Sequence, residues 1–274
     1  RYLIPSGSCA MIAEKEKRVD MVQNQNWYLS TVAEEAEALA ARYGLGLEIA
    51  EYCTASNMDD GFAQADAAVR RELARTDRAA FHLPFNELCP AAIDPRARRL
   101  AWERYRQGIA LAGAYGINRL VVHSGYIPLV YDKTWFAERS VEFWTEFLRE
   151  VPADALLCME NVMEDEPGLL LEIIRRVDDP RLRLCLDVGH ANSSASNVPV
   201  SEWIACCAPY LSHVHLHNNE GDRDLHAPLG TGTIDMEKCL TELICKAPGS
   251  TLTIESVEAG PSVNWLLQRG FLRR

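Results

Sequence analysis

Seven short apolar runs, each closing on or near an ionisable residue, constrain this chain more than any other feature. They are GLEIAEYC from Gly46, RAAFHLP from Arg78, NRLVVHSG from Asn118, ALLCMEN from Ala155, LRLCLDVGH from Leu182, LSHVHLHNN from Leu211 and TLTIES from Thr251. Near-continuous apolar residues of this length suit parallel strands covered on both faces. Longer amphipathic segments fill the gaps, so the rhythm predicts β/α units around a parallel sheet. STVAEEAEALAARYG is one such helix, with Ser30 as its N-cap, an acidic first turn and Gly44 as its stop. DPRARRLAWERYRQGIALAGAYG, WFAERSVEFWTEFLREV, EPGLLLEIIRRV and TIDMEKCLTELICKA follow the same plan. Seven strands leave an eightfold barrel one short, and YLIP at Tyr2–Pro5 is the candidate for the missing one. No linker or low-complexity tract divides the chain. The expectation is an α/β protein, a single (β/α)8 TIM barrel domain over residues 1–274.

The ionisable residues sit where such a barrel does chemistry. Glu48 or Glu51, His82, His123, Glu160, Asp187 with His190, His215 and Glu255 close the runs. Strand C-termini converge on one mouth, so these side chains meet although they are remote in sequence. The seven histidines, which also include His213, His217 and His226, all fall at strand ends or in the loops that follow. Outer helices carry none, and this concentration favours a metal or proton-transfer site. A single strand-end histidine such as His82 is more often a hydrogen-bonded structural residue. Glu160 and Glu255 end apolar runs, where a buried carboxylate needs a salt bridge, hydrogen bonds or a metal. His213, His215 and His217 alternate and share one face of their strand, with one or two of them expected as ligands. Asp224 and His226 stand in D-x-H spacing within a glycine-rich stretch, close enough to reach one cation.

Other chemistries lose their support. The five lysines avoid the strand ends, against a Schiff-base aldolase. No G-x-S-x-G elbow, Walker loop or G-x-G-x-x-G fingerprint is present. A net charge of −11 disfavours nucleic acid and anionic lipid as partners. No uncharged apolar run approaches the roughly 20 residues that span a bilayer, and the N-terminal residues lack a signal-peptide core. Nine cysteines without a C-x-x-C pair fit a reducing compartment, the cytoplasm, better than a disulfide framework or a thiolate zinc site.

The order of motifs resembles the xylose isomerase-like barrel superfamily, which includes sugar and sugar-phosphate isomerases and epimerases and also endonuclease IV. From about Leu45 onward the matching segments are FHLPF, VVHSG, MEN, LDVGH, HLHNN, DLHAPLGTGTID and TIES. The resemblance to the isomerases and epimerases implies one divalent metal held by Glu160, Asp187, His215 and Glu255. Similarity to endonuclease IV, which binds three zincs, adds His82, His123, His190, Asp224 and His226 as ligand positions. One to three ions of zinc, manganese or a similar metal are thus implied. Arg223 resembles the substrate-binding arginine of the ketose epimerases, and Glu48 is a second candidate substrate contact. The implied function is isomerisation or epimerisation of a small sugar, sugar phosphate or related polyol through a metal-stabilised enediolate, with Glu160 and Glu255 as the acid–base pair. The alternative is an endonuclease IV-like metallohydrolase of phosphate esters, acting on AP-site DNA in the extreme case. A small carbohydrate is the expected partner, and homo-oligomerisation is left open.

Overall fold

The computed structural model describes residues 24–273. Eight parallel strands pair in chain order and close, β1 against β8, into a barrel. The strands are β1 Trp27–Ser30, β2 Gly46–Ile49, β3 Ala79–His82, β4 Arg119–His123, β5 Leu156–Glu160, β6 Leu182–Asp187, β7 Leu211–Leu216 and β8 Thr251–Ile254. One α-helix follows each strand: α1 Ala36–Tyr43, α2 Phe62–Leu73, α3 Pro95–Ala114, α4 Lys133–Phe147, α5 Gly168–Val177, α6 Val200–Cys207, α7 Met236–Lys246 and α8 Ala259–Arg269. All seven apolar runs named from sequence are strands.

The eighth strand is WYLS, not YLIP, which lies outside the described residues. Ser30 ends β1 rather than capping a helix, and α1 begins only at Ala36 after a turn. Buried Trp27, Tyr28 and Leu29 make these four residues a strand despite the polar stretch before them. Gly44 stops α1 as expected, in the left-handed conformation at φ 64°. Elsewhere the helix starts obey local chemistry. Asp94 accepts from the Arg96 N–H with Pro95 in the first turn, and Asp132 and Asp235 cap α4 and α7 in the same manner.

Strand alternation divides the interior into two regions. Leu47, Phe81, Val122, Met159, Leu186, Val214 and Ile254 pack outward in the large core shared with the helices. Between them in sequence, Val121, Cys158 and Cys185 form a separate small cluster inside the barrel. The Tyr28 ring lies edge-on to His213, and the Arg119 guanidinium donates to the Ser212 carbonyl. The barrel is therefore a filled body, as this fold requires. Strand register then sets the upper residues side by side: His123 pairs with Glu160, Asp187 with His215, and His215 with Thr253. The described cysteines are free, and no helix among the described residues is long and apolar enough to cross a membrane.

Candidate metal centre

The titratable side chains inside the barrel form two layers. In the lower one, Glu48 of β2 is fully buried and accepts from three partners. His213 Nε2 lies 2.8 Å from Oε2, His215 Nε2 lies 2.9 Å from Oε1, and the Thr253 hydroxyl also donates to Oε2. Burial opposes the charge on Glu48, yet the Coulombic pull of His215 and His213 holds its carboxyl well below the usual range. Both oxygens of this expected substrate contact are thus already engaged, beneath the mouth. Glu51, the other candidate on that run, lies past the strand end and accepts from the Thr31 hydroxyl at 2.8 Å.

The upper layer is centred on Glu160, Asp187, His215 and Glu255, which offer one ligand atom each, all within 4.8 Å of one another. His215 Nδ1 is 3.2 Å from Glu160 Oε1, 3.1 Å from Glu255 Oε2 and 3.8 Å from Asp187 Oδ2. His82 Nε2 and His123 Nε2 approach the other Glu160 oxygen at 3.3 and 3.4 Å. His123 is stacked on Phe85 with centroids 4.0 Å apart. Burial pushes the His123 imidazole down to about 3, against the pull of Glu160. Farther out, Asp224 Oδ2 lies 3.2 Å from His190 Nε2 and 3.0 Å from His226 Nε2. Asn161 holds the end of β6 in place, its side chain bonding both the N–H and the carbonyl of Asp187.

Hydrogen-bond accounting says what this layer can hold. His82, His190 and His226 each set Nδ1 against a backbone carbonyl, those of Leu83, Asn161 and Glu255, at 2.8 to 2.9 Å. A carbonyl only accepts, so Nδ1 carries the proton and a neutral ring presents a bare Nε2. His215 is the mirror case, with Nε2–H given to Glu48 and Nδ1 left bare. Each bare nitrogen faces a carboxylate oxygen, acceptor against acceptor, and only a cation between them makes the contact favourable. The spacings agree. Charge-assisted hydrogen bonds run at about 2.7–2.9 Å, whereas tetrahedral ligands on bonds of about 2.0–2.2 Å stand roughly 3.3–3.6 Å apart. The donor set fits zinc or manganese better than magnesium. In the metal-free chain a proton fills the same role. Burial works against charge on His190, but Asp187, Asp224 and Glu160 hold it well above the usual imidazole value, and His226 is raised to about 9 against burial chiefly by its bond to Asp224.

All nine positions expected as ligands thus gather at the barrel mouth. Arg223, the expected substrate contact, lies apart from them: its side chain is exposed, 3.6 Å from Asp222. Sequence reasoning named His217 only as one of three alternating histidines and did not choose among them; it is fully buried beside Asp187. Its signal was the neighbouring glycine: a Cβ on Gly189 would come 1.9 Å from the His217 ring, so DVGH needs a glycine there. Glu164 was also missed. It closes the loop after β5 by accepting from Ser124 and from the Val162 N–H.

A family model described as xylose isomerase-like TIM barrel matches residues 19–273 of this chain. An uncharacterised protein of Methanocaldococcus jannaschii is 30% identical over 173 residues, which is 59% of this chain and 58% of that protein. The match spans less than two thirds of that relative. A Thermus thermophilus protein whose crystal was soaked with zinc chloride is similar in structure, with TM-score 0.73, 26% identity, and 91% of this chain and 100% of that one covered. A D-tagatose 3-epimerase-like protein has TM-score 0.73 at 23% identity, covering 89% and 96%, a likeness of fold.

Proposed function

This chain belongs to the xylose isomerase-like TIM barrels, and from that premise we propose that it is a divalent-metal-dependent isomerase or epimerase of a small sugar, sugar phosphate or related polyol. One observation carries the reading: Glu160, Asp187, His215 and Glu255 converge from the ends of four strands with one ligand atom each, all within 4.8 Å of one another. Those four residues would hold the ion, and a bound zinc or manganese would supply Lewis-acid polarisation of a substrate carbonyl. Resemblance to the zinc-soaked protein and to the epimerase-like structure supports this. The free cysteines are in keeping with a cytoplasmic setting.

Glu160 and Glu255 come from the fifth and eighth strands and meet His215 from different sides. Proton removal beside the carbonyl by one and return by the other inverts a carbon centre, whereas transfer between adjacent carbons by one group isomerises. Their surroundings are unequal. Each Glu160 oxygen lies against two histidines, so Glu255, the more accessible carboxylate, is the better placed to meet substrate. The test is solvent deuterium exchange into D-tagatose, other free ketoses and their phosphates, with metal content measured in parallel. Glu255→Gln and Glu160→Gln should slow exchange at least about 100-fold with metal retained. Wild-type exchange in the metal-loaded variants would remove both from the acid–base role.

A second reading, hydrolysis of phosphate esters, is favoured by the histidine groups on either flank, His82 with His123 and His190 with His226. Turnover of an activated phosphodiester or AP-site DNA with no exchange into any sugar would select it.

A further inference from the structure

His217 stands among the histidines of the mouth, within ligand distance of His190, Asp224 and His226, yet its hydrogen bonding is the reverse of theirs. Its Nδ1 is buried and has no hydrogen-bond partner among the described residues, where theirs meet backbone carbonyls. A protonated Nδ1 would be an orphaned buried donor, the more costly choice, so the proton belongs on Nε2. Nε2 lies 3.1 and 3.2 Å from the two oxygens of Asp187, with hydrogen-bond geometry to Oδ2, and 3.4 Å from Asp224. These oxygens accept what Nε2–H offers. The ring is packed in place, stacked on His226 at 4.0 Å and backed by Gly189.

We propose that His217 is a fixed hydrogen-bond donor to Asp187 and not a cation ligand. His217 is then a positioning residue: with the His190 N–H, which bonds Oδ1 at 2.7 Å, it orients the Asp187 carboxylate toward the inner cluster.

The inference rests on the metal dependence proposed above, and the experiment separates the two. Isotopically labelled protein is loaded with NMR-active cadmium, and the histidine side chains are followed by long-range nitrogen–proton spectra. Coupling to cadmium is expected at His215 Nδ1 and at His190 and His226 Nε2. His217 should show the Nε2–H tautomer without coupling, and coupling there would overturn the proposal. His217→Gln, which keeps a donor, should hold inner-site cadmium within about threefold of wild type, whereas His217→Ala should lose about 10- to 100-fold. Equal affinity in both variants would overturn the positioning role. If the wild type takes up no cadmium, the metal-dependent reading fails, and the tautomer of His217 in the metal-free protein still decides this one: Nδ1–H would refute it.

Discussion

The two layers inside the barrel use the same residue types to opposite ends. Below, Glu48 meets His213 and His215 at 2.8 and 2.9 Å, with every polar contact a donor facing an acceptor. Above, Glu160 meets four histidines at 3.2 to 3.4 Å, and two of them, His82 and His215, have their other nitrogen already committed as a donor and turn a bare nitrogen toward it. The lower layer is complete without any ligand, and the upper one needs a positive charge to become so. Carboxylate and histidine content alone does not make a metal centre. The nitrogen that each ring has already given away decides.

Removing metal should separate the layers most strongly. An ion present at about 1,000 times its dissociation constant stabilises the folded chain by about 4 kcal/mol, a melting shift of roughly 10 °C for a chain of this size. Calorimetry of chelator-treated protein with and without added zinc reads it. An unchanged transition would mean that the upper layer is as self-sufficient as the lower.

Next in size, Glu48→Gln crosses the boundary between layers. The fold should persist, but His215 loses the carboxylate that fixes its tautomer and strengthens it as a ligand, so zinc affinity should fall about 10- to 100-fold. Competitive titration with a chromophoric chelator measures this, and unchanged affinity would show that the lower layer does not support the upper.

The smallest effect tests a carboxyl outside both layers. Glu72 on α2 is raised to about 7 by burial and then by the charge and hydrogen bond of Glu51. Its folded value exceeds the unfolded one, so it weakens the fold as pH rises from about 4.5 to 7 and stays unfavourable above. Glu72→Gln should raise the melting temperature by about 2 °C at pH 8, discounted for its half-exposed position, and leave it unchanged at pH 4. An equal gain at both would show that packing, not charge, is responsible.

Much of the fold was legible because strands buried on both faces must be apolar, and the seven longest runs declare themselves. WYLS did not. Four residues after QNQN carry too little pattern, and Trp27 and Leu29 become strand residues only because β2 and β8 stand ready to pair with them. Ser30, a good cap by residue type, was overruled by the same pairing. At the mouth, residue type and strand-end position were enough to bring nine side chains together. Which nitrogen faces inward was not, because it depends on carbonyls at Leu83, Asn161 and Glu255 that no side-chain pattern encodes. The depth of Glu48 was hidden for a related reason: alternation puts it inside the barrel, but how deep it lies follows from register.

Because the barrel floor is filled by Tyr28, Val121, Cys158, Cys185 and the Glu48 layer, the centre is a vessel with one opening. On the proposed reading, ion, substrate and product would share that doorway, which would impose an order of traffic. The ion, seated deepest, would have to enter before the substrate and could not leave past it. A chelator should therefore strip the resting protein readily and the substrate-filled protein slowly, so the reactant itself serves as the stopper.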